Sequence, residues 1–199
     1  MTVFHLVRHG QHDLGGGVLA GRMPGVGLTA RGRSEIAAVG ERLAGEGIAA
    51  IYSSPLQRTR ESAEIVGARL GLPVVLHDDL IELDFGEWTG TTFDAIRADP
   101  RWEPWRTHRS LAAIPGGESM REVQRRAVEA MFAIVAAHRD AAVVAVSHGD
   151  VIRSILVFAL GMPLDFFGRI EIGLGSLSTI RIDDTGIRVL AVNERPSIL

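Results

Sequence analysis

The chain has 199 residues, contains no cysteine and carries a formal net charge of −3, which predicts one domain with a sizeable core and at most a small cap. The lack of cysteine excludes disulfide frameworks, thiolate metal sites and a cysteine nucleophile. All 21 basic residues are arginine, so lysine Schiff-base chemistry is excluded, and the mild charge argues against a nucleic-acid-binding surface.

The apolar runs of the chain are short. The longest, Ile155–Met162, is far below the length of a membrane span, and Arg8 interrupts the N-terminal run too early for a signal peptide. We therefore expect a cytoplasmic protein with neither a nucleic-acid nor a membrane partner. The oligomeric state is left open, with a homodimer as one option.

The first predicted element is a buried strand that ends in a histidine. Residues 3–10 run from mostly apolar side chains into Arg8, His9 and a glycine. Residues 142–149 repeat this form and end in His148 and a glycine. Because the carboxyl ends of parallel strands meet at one edge of a sheet, the sequence predicts a site built around two histidines.

Strands and helices alternate between and after these two units, which predicts an α/β three-layer sandwich with a mostly parallel sheet, helices on both faces and a small cap insertion. A long glycine-rich loop follows the first strand, and Thr29 is the expected cap of the first helix. The predicted helices cover residues 30–43, 56–70, 92–98, 120–138 and 150–160, and the further strands cover 48–52, 74–76, 170–172, 176–182 and 189–193.

Charge and backbone freedom around the first histidine favour phosphoryl chemistry. Arg8 attracts an anion and discourages a metal cation, so a neutral His9 is the candidate nucleophile toward a phosphoryl group. Gly10 permits close approach of a ligand to the backbone. Arg58 lies at the start of a helix for which Ser54 is the expected cap, and phosphate favours both guanidinium groups and helix N-termini.

A general acid is expected in the acidic loop after the third strand. Glu82 has apolar neighbours, and partial burial would raise its pKa toward the range that suits a proton donor. Asp84 and Glu87 are rival candidates, and the residues by themselves leave the choice open. His148 is a candidate for acid–base work or for donation to a phosphoryl oxygen. His12 and His108 could reach a substrate, but we expect both to lie on the loop surface. No strong metal-binding pattern is present.

Residues 99–117 are expected to form a cap that selects the substrate. This segment concentrates Trp102 and Trp105 with the cap candidates Arg106, His108 and Arg109, which offer stacking faces and anion-binding groups. The alternative is that the tryptophans simply pack the segment onto the body.

Five motifs, in order along the chain, resemble those of the histidine phosphatase superfamily, also called phosphoglycerate-mutase-like. They are LVRHGQ at residues 6–11, SSPLQRT at 53–59, ELDFGEWTG at 82–90, PGGES at 115–119 and VSHG at 146–149. Because the matches span nearly the whole chain, residues 1–199 are expected to form one histidine-phosphatase domain with its cap at 99–117.

The resemblance implies a role for each matched residue. His9 would be the phosphorylated nucleophile and Glu82 the proton donor, while Arg8, Arg58 and His148 would hold the phosphoryl group. The resemblance implies no metal and no organic cofactor.

The chain departs from the family pattern at two places. The aspartate that the family often has before a Leu-Thr pair is missing from residues 21–28. The family often has asparagine where this chain has Gly15. We expect Gln11 or a backbone N–H of the glycine-rich loop to replace that phosphate contact.

The sequence therefore predicts a phosphatase that hydrolyses a small phosphorylated metabolite through a phosphohistidine intermediate. One alternative is a phosphomutase, although bisphosphate-dependent mutases of the family tend to carry longer insertions than this chain has. The other alternative is a non-catalytic phosphate-binding regulatory module.

Overall fold

The computed structural model of the protein describes residues 1–15 and 17–198, and within these ranges the chain forms one six-stranded sheet flanked by helices. The strands are β1 (Thr2–Arg8), β2 (Ile48–Ser53), β3 (Val74–Leu76), β4 (Ala142–Ser147), β5 (Leu177–Asp183) and β6 (Gly186–Glu194). The helices are α1 (Ala30–Leu43), α2 (Gln57–Leu70), α3 (Phe93–Ala98), α4 (Trp102–Thr107), α5 (Met120–Ala137) and α6 (Gly149–Ala159).

The sheet has the order β3-β2-β4-β1-β5-β6. The first four strands are parallel to one another, whereas β5 pairs antiparallel with β1 and β6 pairs antiparallel with β5. This arrangement confirms the predicted α/β class with a mostly parallel sheet. None of the helices in the described part of the chain is long and apolar enough to cross a membrane.

The central strands are apolar on both faces because both faces are covered by helices. On β4, Val143 and Ala145 join the core cluster that includes side chains of α5 and α6, whereas Val144 and Val146 join the cluster on the opposite face with α1 and α2. Successive side chains of a strand point to opposite faces, so a continuous apolar run is what a sheet covered on both sides requires.

The register of the central strands brings the two predicted histidines to the same edge. Arg8 at the end of β1 is the partner of Ser147 at the end of β4. His9 and His148 therefore follow two adjacent strand ends, and the backbone N–H of His9 donates to the carbonyl of Ser147 at 3.1 Å.

Two helices begin at side-chain caps, and the cap of α1 is the predicted one. Thr29 accepts a hydrogen bond from the backbone N–H of Gly32 at the start of α1. Ser119 and Glu122 form a reciprocal capping box at the start of α5.

The predicted start of α2, at residue 56, is one residue too early. The helix begins at Gln57, and no side chain caps it. The Ser54 hydroxyl accepts from the backbone N–H of Leu56 at 3.4 Å, just before the helix, and it is also hydrogen-bonded to the imidazole of His148 at 2.7 Å. A side chain that was predicted to cap a helix therefore contacts a histidine at the carboxyl edge of the parallel strands, which we call the functional edge.

The predicted strand at residues 170–172 is also wrong. The segment follows a 3₁₀ turn over Leu164–Arg169 and does not join the sheet. Its backbone groups have other partners: the Ile170 N–H donates to the carbonyl of Phe167, and the carbonyl of Ile172 accepts from the Arg8 guanidinium at 2.6 Å.

The segment expected to form a cap contains α4 and packs beside α3. The rings of Trp88, Trp102 and Trp105 lie 5.1 to 5.7 Å apart, centre to centre. Trp105 is only 1% exposed, so part of the segment is attached to the body as the packing alternative proposed.

Candidate functional site

A cavity of about 290 Å³ opens at the carboxyl edge of the parallel strands. We call it the central cavity. Its walls combine charged and histidine side chains with the aromatic rings of Phe85, Phe93, Trp102 and Trp105. Predicted site residues that line it are Arg8, His9, Arg58, Glu82 and Arg109.

His9 is held in one orientation with one ring nitrogen turned to Arg58. Its Nδ1 lies 2.9 Å from the carbonyl oxygen of Gly10, and a carbonyl can only accept. The Nδ1–H is therefore fixed there, and Nε2 keeps its lone pair, which accepts from Arg58 Nε at 3.3 Å. Burial, with the charges of Arg58 and Arg8, lowers the pKa of His9 well below its usual range. A neutral imidazole with a defined lone pair is suited to nucleophilic attack.

His148 is completely buried next to His9, with the two ring centres 5.2 Å apart. Its Nδ1 accepts from Arg58 Nη2 at 3.2 Å, so its Nε2–H donates to the Ser54 hydroxyl. Burial, with the charges of Arg58 and other neighbours, lowers the pKa of His148 well below its usual range. His148 does not line the central cavity itself, but it contacts Arg58, which does.

Two buried guanidinium groups make the floor of the cavity electropositive. Arg58 is 2% exposed and is anchored by a 2.7 Å hydrogen bond from its Nη2 to the carbonyl of Gly21, while Arg8 is anchored to a carbonyl of the segment before β5. Arg58 Nη1 and Arg8 Nε have no hydrogen-bond partner within the described residues. Buried charged donors without partners are costly, and a phosphoryl group would supply acceptors for both.

Glu82 is the acidic side chain of its loop that lines the central cavity. Burial, followed in size by the charge of Asp150, raises the pKa of Glu82 to about 7, although Arg58 acts in the opposite direction. One carboxylate oxygen accepts from its neighbouring backbone N–H, and the other lies 3.9 Å from His148 Nδ1. A carboxyl with a pKa near 7 is suited to protonating a leaving group.

The rival acids point elsewhere. Asp84 accepts from the backbone N–H of Gly86 and lies 3.6 Å from Arg22. Glu87 is exposed and pairs with Arg101. Neither side chain lines the central cavity.

An ion-pair cluster fixes the backbone of Glu82. Its carbonyl oxygen accepts from Arg22 Nε at 2.8 Å and from Arg126 Nη2 at 3.3 Å. Both arginines also bind the carboxylate of Glu118. Glu118 belongs to one of the matched motifs, and its contribution is to hold the segment that carries the candidate acid.

Gly10 and Gln11, predicted to contact phosphate, do not line the central cavity. A Cβ on Gly10 would overlap the carbonyl oxygen of Gly32, so this glycine permits close approach of α1 and not of a ligand. The backbone N–H of Gln11 donates to Glu35, and its side-chain oxygen accepts from Thr29. These groups of Gln11 therefore attach the loop to the start of α1, while the N–H of Gly10 donates to the Ser62 hydroxyl of α2.

His12 was expected on the loop surface, but the structure contradicts this expectation. Its side chain is 9% exposed, lines the central cavity and lies with its ring centre 5.5 Å from that of His9. The sequence held a usable signal, because His12 follows His9 by three residues, on a loop that begins at the carboxyl edge of the parallel strands.

The three cap candidates separate in the structure. Arg109 lines the central cavity, whereas Arg106 and His108 do not. Arg106 is exposed and pairs with Glu103 one turn away on α4, and His108 is exposed beside Thr107. Helix α4 ends at Thr107, so the chain changes direction before Arg109 and directs that side chain inward.

Arg109 carries a buried charge with few partners. Its guanidinium carbon lies 3.5 Å from the ring centre of Trp105 and its Nη1 lies 3.9 Å from the carboxylate of Asp150. Burial lowers the pKa of Arg109 to about 10. Its Nε and Nη1 find no hydrogen-bond partner in the described chain.

Sequence reasoning missed Asp150 and Arg153, which also line the central cavity. They pair with each other at 3.0 Å on the first turns of α6, and Asp150 is also the carboxylate near Arg109. The sequence signal that could have identified them is their position directly after the second strand-His-Gly unit.

No cluster of three or more potential metal ligands occurs in residues 1–15 and 17–198. The buried polar groups at the functional edge are mainly cationic or neutral donors. Such a set matches an anion.

A family model described as the histidine phosphatase superfamily (branch 1) matches residues 4–195. Among curated proteins, the chain is 38% identical over 176 residues to the bifunctional protein Rv2228c of Mycobacterium tuberculosis, covering 87% of this chain and 48% of that protein. It is 31% identical over 186 residues to the probable phosphoglycerate mutase GpmB of Salmonella paratyphi B, covering 90% of this chain and 85% of that protein. The chain thus spans about half the length of the first curated relatives it matches.

Solved structures show the same fold. YhfR of Bacillus stearothermophilus superposes with a TM-score of 0.90 at 31% identity, covering 96% of each chain. The mycobacterial glucosyl-3-phosphoglycerate phosphatase Rv2419c superposes with a TM-score of 0.86 at 27% identity, covering 96% of this chain and 98% of that one.

Proposed function

Since the chain belongs to the histidine phosphatase superfamily, branch 1, we propose that it hydrolyses a small phosphomonoester through a phosphohistidine intermediate. The observation that carries the proposal is the state of His9, a buried neutral imidazole whose Nδ1–H is tied to a carbonyl and whose Nε2 accepts from Arg58 in the cavity that Glu82 also lines. Rapid quenching of a reaction with labelled substrate into alkali tests it, because the label should appear transiently on the protein.

The first step transfers the phosphoryl group to His9. An entering phosphomonoester takes over the hydrogen bonds that Arg58 makes to His9 Nε2 and His148 Nδ1, so the lone pair of His9 is free to attack. The new bond joins Nε2 to phosphorus while the bond from phosphorus to the ester oxygen breaks. Glu82 gives its proton to that oxygen, and the alcohol leaves.

The second step returns the enzyme to its starting state. Glu82, now ionised, takes a proton from a water molecule as the water oxygen attacks phosphorus. The bond from phosphorus to His9 Nε2 breaks, inorganic phosphate leaves, and Glu82 is again protonated. Arg8 and Arg58 offset the charge on the transferring group in both steps, and such electrostatic stabilisation is the larger part of phosphoryl-transfer catalysis.

Phosphate release should not require a divalent metal ion, because the arginines of the cavity supply the positive charge that a metal ion would otherwise supply. We expect unchanged turnover after dialysis against excess chelator, measured as phosphate release from an aryl phosphate. Loss of activity in chelator that returns with added metal would contradict this expectation.

A phosphomutase is the second candidate, favoured by the likeness to GpmB, whose name is probable phosphoglycerate mutase. A hydrolase transfers the phosphoryl group of phosphohistidine to water, and a mutase returns it to another oxygen of the substrate. Phosphate release from an aryl phosphate, compared with isomer formation from a phosphoglycerate, separates the two. A protein that binds phosphate without either reaction would be the regulatory module.

We propose that Arg109 selects substrates that carry a second anionic group. Arg109 lines the same cavity as Arg8 and Arg58, and its Nε and Nη1 have no hydrogen-bond partner within the described residues. Stacking on Trp105 orients its guanidinium plane. The aromatic walls would contact the rest of the leaving group.

Arg109→Met should raise KM for a doubly anionic phosphomonoester by about tenfold or more, the range for a charged hydrogen bond, and leave a neutral-tailed aryl phosphate nearly unchanged. Methionine keeps an unbranched chain over Trp105 while it removes the charge. Steady-state kinetics on both substrates measure the effect, and Arg106→Ala is the matched control because Arg106 lies outside the cavity. Equal losses on both substrates with a lower Tm would assign Arg109 to packing.

A further inference from the structure

We propose that His12 is a third histidine of the site and donates a hydrogen bond to the phosphoryl group. The inference rests on the proposed function, since it concerns the anion that the central cavity receives. If it is correct, His12 is a residue that contacts the substrate directly.

The backbone of His12 is fixed although the residue lies in a glycine-rich loop. It forms an isolated antiparallel bridge with Leu28, and its carbonyl accepts from the N–H of Gly15 at 3.1 Å. These contacts hold the residue at the entrance to α1, and the side chain is 9% exposed while its neighbour Asp13 is exposed. The imidazole is therefore placed by the fold and not left on a free loop.

The imidazole of His12 has unused hydrogen-bonding capacity. Its Nδ1 is buried without a partner in the part of the chain that the structure describes, whereas both ring nitrogens of His9 and of His148 lie within hydrogen-bond distance of other groups. A buried polar atom left without a partner is costly. A ligand bound in the cavity that His12 lines can supply the missing hydrogen-bond partner.

Within the described residues of the loop, His12 is the polar side chain that lines the central cavity. The other lining positions between residues 11 and 27 are Gly15, Val18, Leu19, Ala20 and Gly21, which have no polar side-chain atoms. Any side-chain hydrogen bond from this wall to a bound group must therefore come from His12.

The charge state of His12 fits a donor to phosphate. Burial, followed by the charges of Arg58 and Arg8, lowers its pKa, so the ring is neutral and carries one N–H and one lone pair. The ring centre of His12 lies 5.5 Å from that of His9, and both rings line the same cavity. A phosphoryl group attacked by His9 would occupy that space, with Arg58 on one side and His12 on another.

The test compares His12→Phe, which keeps a ring but removes both nitrogens, with His12→Gln, which keeps an N–H donor. The probe is inorganic phosphate, and its Kd is measured by calorimetry, so the test needs no turnover. We expect His12→Phe to weaken phosphate binding by about tenfold to a hundredfold, the range for a hydrogen bond to a charged group, and His12→Gln to recover most of it. Asp13→Asn, next in the chain but outside the cavity, is the matched control.

Kinetics add a second readout. His12→Phe should lower kcat/KM by a similar factor for every phosphomonoester, unlike the substrate-dependent effect of Arg109→Met. Unchanged phosphate affinity in His12→Phe, or equal weakening in both variants with a lower Tm, would overturn the proposal. If wild-type protein binds phosphate through His12 but hydrolyses nothing, the proposed function fails and the role of His12 in anion binding stands.

Discussion

His9→Ala is expected to abolish phosphate release, with a loss in kcat of at least about four orders of magnitude, as for removal of other enzymatic nucleophiles. The covalent step cannot occur without Nε2, and the neighbouring His148 cannot replace it because both of its ring nitrogens are engaged. His148 has its Nε2–H on Ser54 and its Nδ1 on Arg58. The measurement is phosphate release from an aryl phosphate, together with the yield of labelled protein after alkaline quenching.

The fold should survive this substitution. His9 makes its side-chain hydrogen bonds to Gly10 and Arg58 only, so Tm should fall by no more than a few degrees. His77→Gln, outside the central cavity, serves as the matched control and should keep full activity. A His9→Ala protein that still forms a labelled intermediate would remove His9 from the mechanism.

Glu82→Gln is expected to slow hydrolysis of an alkyl phosphomonoester by about 10²- to 10⁴-fold, the usual contribution of general acid catalysis. Glutamine keeps the size of the side chain but has no proton to give. Nitrophenolate leaves without protonation, so nitrophenyl phosphate should lose far less. Glu87→Gln, in the same loop but exposed and paired with Arg101, should change neither rate.

The pH profile should carry the signature of the same residue. Burial raises the pKa of Glu82 to about 7, so the carboxyl is protonated below that pH and ionised above it. The rate with an alkyl ester should therefore fall as pH rises through about 7, and this alkaline limb should be absent in Glu82→Gln. The limb near pH 6 from the substrate's own second ionisation should remain in both proteins. Equal losses on both substrates and an unchanged alkaline limb would assign Glu82 to binding.

The sequence by itself determined the α/β class and the location of the site. Apolar strands that alternate with capped helices build a covered parallel sheet, and the carboxyl ends of its strands meet at one edge. His9 and His148 could therefore be placed together although 139 positions separate them in the chain. Arg58 was found in the same way, because a helix that follows a strand in such a sheet begins at that edge.

Only the tertiary structure decided which polar side chains near this edge line the cavity. Glu82, Asp84 and Glu87 share one loop, but burial beside Asp150 and the backbone contacts from Arg22 and Arg126 single out Glu82. The residues responsible are more than 40 positions away, so no local pattern encodes this difference.

Long-range contacts also explain why other residues near the cavity lie where the sequence did not predict, and three of them are examples. Gln11 is occupied by α1, His12 is turned inward by a bridge to Leu28, and Arg106 points outward because α4 ends just after it. Each orientation is set by one long-range contact or one chain reversal. Periodicity specifies which face of an element is buried, whereas side chains on loops take their direction from contacts that form only when the chain has folded.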